Sequence, residues 1–123
     1  MIKGIGTDIL SIQRIENILE ADHDLFIKKV YTQNQVNQAQ NRKNRTAFLA
    51  DRFAGKEAVF RCLGVSGNCV RLNEIEILAD EQGKPNVTLY HNAKKIADEK
   101  GISSIVISLS YETDYVVAFA TAE

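Results

Sequence analysis

Two carboxylates and a row of cations supply the chemistry open to this chain. Glu57 lies in Arg52-Phe53-Ala54-Gly55-Lys56-Glu57-Ala58-Val59-Phe60-Arg61-Cys62-Leu63-Gly64, whose apolar residues leave almost no polar face once wound as a helix. A helix apolar nearly all round is usually buried. A buried carboxylate is costly unless a cation, a metal or a set of hydrogen bonds compensates it. At about 100° per residue, Arg45, Arg52 and Lys56 fall within about 40° of one another. Glu57 takes the neighbouring face, with Arg61 one turn further along it. Three cations in a row beside a carboxylate suit a polyanion such as a pyrophosphate, with a metal between ligand and carboxylate. The same spacing also fits a solvated basic edge on which Lys56 or Arg61 pairs with Glu57.

Asp8 is the second carboxylate. It follows Gly4-Ile5-Gly6-Thr7 and precedes Ile9-Leu10, so it interrupts an otherwise apolar strand. A strand-end turn or a cap for the next helix accounts for it. So does a role beside Glu57 as an oxygen ligand for Mg²⁺, which takes one or two carboxylates, substrate phosphates and retained waters. Other chemistries lack their parts. His23 and His91, the only histidines, sit in polar surroundings and support neither a histidine zinc site nor a Ser-His-Asp triad. Cys62 and Cys69 form no C-x-x-C pattern. Gly4-Ile5-Gly6 is too short for a dinucleotide fingerprint, and Gly64-Val65-Ser66-Gly67 lacks the spacing of a nucleophile elbow. Both glycine clusters read as turns, the second able to bring backbone N–H groups near a phosphate.

The elements that must position these residues follow from pattern. Ile2 to Leu10 reads as a strand. Ser11 then caps a helix carrying Ile12, Ile15, Ile18 and Leu19, which breaks at Ala21-Asp22-His23-Asp24. Leu25, Phe26, Ile27 and Val30 suggest a second short helix ending near Tyr31-Thr32, and Gln33 to Asn44 fits helix or loop. The long helix runs from about Lys43 to Leu63, closed by Gly64. Strands are expected over Glu74–Ala79, Val87–Tyr90, Ile105–Ser110 and Tyr115–Ala122, and a helix over Asn92–Lys100. The expectation is one domain, 1–123, of α+β class, an antiparallel sheet packed on a long central helix.

Composition narrows the class. At 123 residues, 45% apolar and 25% charged, the chain has an ordinary globular make-up. A net charge of −1 argues against bulk binding to nucleic acid or an anionic membrane. No apolar run reaches the ~20 residues of a membrane span, and Gly4, Gly6, Thr7 and Asp8 interrupt any signal-type core. The expected location is cytoplasmic.

Taken together, Gly4-Ile5-Gly6-Thr7-Asp8-Ile9 with Arg14-Ile15, and Arg52-Phe53-Ala54-Gly55-Lys56-Glu57-Ala58 with Leu63-Gly64, resemble the holo-acyl-carrier-protein synthases. These are the short, single-domain 4′-phosphopantetheinyl transferases. Gly83-Lys84-Pro85 resembles their G-K-P turn, and Ile107-Ser108-Leu109-Ser110 their C-terminal strand, so the likeness spans essentially the whole chain. The resemblance implies the 4′-phosphopantetheinyl transferase fold and a Mg²⁺-dependent transfer of phosphopantetheine from coenzyme A to a serine of apo acyl carrier protein. It further implies release of 3′,5′-ADP and service to fatty acid biosynthesis.

Residue by residue, Asp8 and Glu57 match the family's metal ligands. Arg45, Arg52, Lys56, Lys84 and Pro85 match positions around the coenzyme A phosphates, with Gly64 ending the helix beside them. Lys56 and Arg61 join Asp8 and Glu57 as expected catalytic residues. Family members are usually homotrimers with active sites between subunits. The acidic carrier protein would dock on basic and apolar residues, for which Arg14, Phe26, Lys28 and Lys29 are the candidates. With no suitable histidine, Glu57, directly or through a metal-bound water, is the candidate base.

Three positions depart from the family pattern. Arg61 stands in place of lysine, keeping charge but unable to trade protons. Tyr111 stands where many relatives carry histidine, and Gly64-Val65-Ser66-Gly67 replaces a G-T-G loop. These departures leave a non-catalytic coenzyme A or nucleotide-binding module as the alternative, against which both retained carboxylates argue. A small interaction domain with purely structural Asp8 and Glu57 is the third reading.

Overall fold

A computed structural model describes residues 1–123. The chain runs β1 (Gly4–Ser11), α1 (Ile12–Val30), α2 (Gln33–Gln40), α3 (Arg45–Cys62), a 3-10 turn (Leu72–Glu74), β2 (Ile75–Ala79), β3 (Pro85–Leu89), α4 (His91–Glu99), β4 (Ile105–Glu112) and β5 (Tyr115–Ala122). The expected α+β class and central long helix are present, but the single expected sheet is two. β5 lies between β1 and β4 in a three-stranded antiparallel sheet, and β2 and β3 form a separate hairpin.

Small residues let α3 lie directly on the three-stranded sheet. The inner face of β5 is Val116, Ala118, Ala120 and Ala122, all buried, opposite Ala54 and Ala58 of the helix. In β1 the glycines are not turns. A methyl group on Gly4 or Gly6 would collide with the Cys62 or Ala58 carbonyl oxygen of α3. Their side-chain-free backbone brings β1 against the helix, and Asp8 follows two residues later in the same strand. Asp8 is opposite Ala118 and Ile9 opposite Val117 in the β1–β5 register.

The flanking helices are fixed by polar side chains. α1 is interrupted at Asp22, whose backbone is non-helical (φ −157°, ψ 82°). This is the break expected from Ala21 to Asp24. α2 resolves the undecided stretch from Gln33 to Asn44. Thr32 and Gln35 form a reciprocal capping box at its start. Gln35 then donates to the Ile77 carbonyl, and Gln38 exchanges two hydrogen bonds with Ala79, tying α2 to β2. Asn44 caps α3 by accepting from the Ala47 N–H at 3.0 Å. Beyond α3, Gly64 turns the chain with φ of 70°, and the Lys100 ammonium donates to the Leu63 and Gly64 carbonyls.

The outer face of the three-stranded sheet is uncovered. Ile5, Ile9, Val106, Tyr115, Val117 and Phe119 are all exposed there. The total accessible surface is 7344 Å², above the ~6,600 Å² typical of a monomeric protein of this mass. No helix is long and apolar enough to cross a membrane.

Candidate active site

Helix α3 carries charge on two sides, and they have different fates. On the side facing α1, α2 and β2, the charges are consumed internally. Lys56 is fully buried. Its ammonium donates to the Leu72 carbonyl (2.9 Å) and to the Ile75 carbonyl, and lies over the Tyr31 ring. Burial pushes its pKa down to about 7, with Glu76 pulling the other way. Glu76 is itself buried, accepting from Thr32 Oγ1 (2.6 Å), Asn34 Nδ2 (3.2 Å) and Tyr90 OH (3.1 Å). Lys56 therefore does not face a phosphate in this fold. The helical wheel placed it correctly in a row with Arg45 and Arg52, but that row turns toward the core.

Arg52 follows the same pattern. It is 5% exposed, stacks on Phe48 at 4.3 Å and pairs with Asp51 at 3.0 Å. Arg45, half-buried at the start of the row, is the reachable member. It contacts His23 Nε2 at 3.0 Å. Arg42, which the sequence pattern did not single out, is exposed and stacks on Phe48 at 4.6 Å. The signal was present in the basic run Asn41-Arg42-Lys43-Asn44-Arg45.

On the side of α3 facing β1, charge is left open. Arg61 does not pair with Glu57, its neighbour one turn away. It reaches across to β1, donating to the Thr7 carbonyl and to Asp8 Oδ1 at 2.8 Å. Glu57 is consequently half-buried with neither a side-chain hydrogen bond nor an ion pair. Burial and the Asp8 charge hold its carboxyl above the usual range, against the pull of Arg61 and Arg14. Two carboxylates drawn together, one of them without a partner, form a site with an unmet demand for positive charge.

The fit to Mg²⁺ rests on this donor set. Two carboxylates and no third His, Cys, Asp or Glu are too few for a closed protein cage. They are the number Mg²⁺ uses when phosphate and water complete its shell. Neighbouring Arg14 is exposed and makes no hydrogen bond or ion pair, so it is free to meet an anion.

The remaining candidates lie apart. Lys84 is exposed in the turn before β3, which Asp80 braces by accepting from the Gln82 and Lys84 N–H groups, both at 2.9 Å. Gly83 supplies the φ of 84° that this turn needs. No hydrogen bond or ion pair links Lys84 or Pro85 with Asp8 or Glu57. Gly64 spends its carbonyl on Lys100. In the second half of α1, Lys28 and Lys29 are exposed, but Phe26 faces inward. Its ring stacks on Phe53 at 5.9 Å and meets Tyr31 edge-on at 5.8 Å. The exposed apolar residue of that segment is Leu25.

Comparison with known proteins points one way. Residues 4–120 match the model of the 4′-phosphopantetheinyl transferase superfamily. The holo-[acyl-carrier-protein] synthase of Halothermothrix orenii is 37% identical over 123 residues, covering 100% of this chain and 98% of that protein. The crystal structure of the Neisseria meningitidis holo-[acyl-carrier-protein] synthase superimposes with a TM-score of 0.91 at 35% identity, over 100% of this chain and 99% of that one. A Bacillus anthracis holo-(acyl-carrier-protein) synthase in complex with CoA (3′,5′-ADP) gives 0.82 at 32% identity, over 100% and 97%.

Proposed function

The chain belongs to the 4′-phosphopantetheinyl transferase superfamily as an enzyme of the holo-[acyl-carrier-protein] synthase kind, and from that premise we propose a Mg²⁺-dependent reaction centred on Asp8 and Glu57. Phosphopantetheine leaves coenzyme A for a serine of apo acyl carrier protein, with 3′,5′-ADP as the other product. The bond formed is serine oxygen to phosphorus, and the bond broken is the pyrophosphate linkage. The unpartnered Glu57 carboxylate beside Asp8 is the observation that carries this reading.

Mg²⁺, when bound by Asp8 and Glu57, supplies charge stabilisation for the phosphoryl oxygens. The chain's residues do the rest. Asp8 is held in one orientation by Arg61. Arg61 and Arg14 add fixed positive charge next to the pair, where negative charge grows on the leaving phosphate. Glu57, without a hydrogen bond or ion pair in the chain, is the candidate to take the serine proton, directly or through an intervening water. Arg61 cannot do so, because its guanidinium does not deprotonate.

The exposed apolar face of the three-stranded sheet supports assembly into a homotrimer. The separation of Lys84 and Pro85 from Asp8 and Glu57 supports a coenzyme A site completed by a second copy. Arg45, Lys84 and Pro85 then contact the nucleotide, while Arg14, Leu25, Lys28 and Lys29 receive an acidic carrier protein. The activity fits a cytoplasmic role in fatty acid biosynthesis.

The test is incubation with apo acyl carrier protein, coenzyme A and Mg²⁺, with the carrier weighed by mass spectrometry. One added phosphopantetheine arm is expected, abolished by EDTA, by Glu57→Gln and by Asp8→Asn. Coenzyme A binding with no mass added to any of several apo carriers would overturn the proposal.

A further inference from the structure

Asp51 is a carboxylate that the proposed reaction does not use, and it sits among arginines. It lies on α3 beside Arg52, with which it pairs at 3.0 Å, and its own side chain is 16% exposed. Arg52 and Arg42 both stack on the ring of Phe48, at 4.3 and 4.6 Å. Arg42 also acts electrostatically on Asp51. Across the corner, the end of α1 presents Tyr31, which feels the charges of both Asp51 and Arg45. His23, also from α1, touches Arg45 and is flanked by Asp24. Two guanidiniums, those of Arg52 and Arg42, thus act on one nearly buried carboxylate, while Arg45 and Asp51 both face Tyr31.

Two observations show that Asp51 is a poor resident of this corner. Burial raises its pKa to about 6 despite the pull of Arg52 and Arg42. In addition, Arg52 keeps a fully buried Nε without any hydrogen-bond partner. The pairing therefore leaves both of its members incompletely satisfied.

We propose that Asp51 is an internal anion that competes with a nucleotide phosphate for the open edge of this corner, Arg42 and Arg45, and so sets the affinity for coenzyme A. It touches no substrate and acts by tuning the field of the arginines that do. The inference rests on the reading above that Arg45 meets a coenzyme A phosphate. Removing one negative charge from this corner should tighten phosphate binding by about threefold to twentyfold at low salt. The advantage should shrink as pH falls through about 6, where Asp51 of the native chain takes up its proton.

Isothermal titration with 3′,5′-ADP tests this on the intact chain. Asp51→Asn and Asp51→Ser should both bind more tightly than the native chain at pH 8, and Asp51→Glu should bind like it. The ratio of Asp51→Asn to native affinity should approach one at pH 5, a comparison in which the ligand's own titration cancels. Arg45→Gln, measured alongside, tests the underlying reading and should weaken binding. Equal or weaker binding by whichever folded neutral variant is obtained overturns the role of Asp51, whatever Arg45→Gln does. Unchanged binding by Arg45→Gln overturns the contact assigned to Arg45 instead.

Discussion

Replacing Lys56 by methionine should remove a pH dependence of stability that this one residue imposes. The ammonium is fully buried, and its pKa falls from 10.5 to about 7 chiefly through that burial. The unfolded chain keeps the proton up to about pH 10, whereas the folded chain begins to release it near 7. Between those values the unfolded state binds more protons, so stability rises with pH. At 1.36 kcal/mol per unit, the gain between pH 7 and 9 is about 2 kcal/mol. A chain of this size unfolds with an entropy of roughly 0.26 kcal/mol/K, which makes the gain about 8 °C in Tm. Tyr31 and Cys62, both pushed up by burial, act in the opposite sense mainly above pH 9, outside that window. Thermal melts followed by circular dichroism at pH 7, 8 and 9, at fixed protein concentration, measure the slope. Lys56→Met should be flat across it. At pH 9 it should also be less stable than the native chain by about 1–3 kcal/mol, because the Leu72 and Ile75 carbonyls lose their donor. A native Tm that stays level or falls with pH, or a Lys56→Met variant that keeps the native slope, refutes the reasoning. The variant should still transfer phosphopantetheine. Loss of transfer with an intact fold would return Lys56 to the substrate.

Arg61→Met should lower kcat/KM by roughly a hundredfold, as removal of a fixed charge-stabilising donor does, while leaving stability within about 1 kcal/mol because the Arg61 side chain is half in water. Arg61→Lys should recover much of the rate, and a pH–rate profile measured on it shows whether a titratable group at this position adds a new limb. On the sheet's outer face, Phe119→Glu and Val106→Glu should each convert an oligomer to a monomer in size-exclusion chromatography with light scattering, and activity should fall with assembly. An unchanged mass in both variants would show that this face is not an interface.

The elements were legible because their patterns are local. Alternation gave β4 and β5, and the break near Asp22 showed as Ala21-Asp22-His23-Asp24. What was hidden is tertiary. α2 lacks an apolar stripe because Gln35 and Gln38 dock through hydrogen bonds to β2, a contact with no hydrophobic signature. The split into two sheets was equally hidden, since each strand reads alike whichever sheet it joins. Asp8 and Glu57 were found as residue types in an apolar setting and by resemblance. Their separation from Lys56 was invisible, because periodicity fixes which side chains share a row but not which row faces the core. Phe26 was ambiguous for the same reason, and Leu25 beside it is the residue left outside.

The contrast between Glu57 and Lys56, adjacent in sequence, gives a sharper criterion for function than charge alone. Lys56 is the more deeply buried, yet two carbonyls meet its ammonium within the chain. Its placement is explained by the fold, and nothing further needs to bind it. Glu57 is less buried but unmet, because the cation nearest in the helix crosses to β1 and takes Asp8. That crossing depends on Gly4 and Gly6, whose missing side chains let the strand lie against the helix backbone. Gly6→Ala should therefore act at a distance. By forcing β1 away from Ala58 it should weaken the proposed Mg²⁺-dependent transfer while Asp8, Glu57 and Arg61 all remain. Binding of Mn²⁺ read by electron paramagnetic resonance should weaken in parallel, whether or not coenzyme A is present. Full activity and metal affinity in a folded Gly6→Ala chain would mean that the approach of β1 to α3 does not set the site.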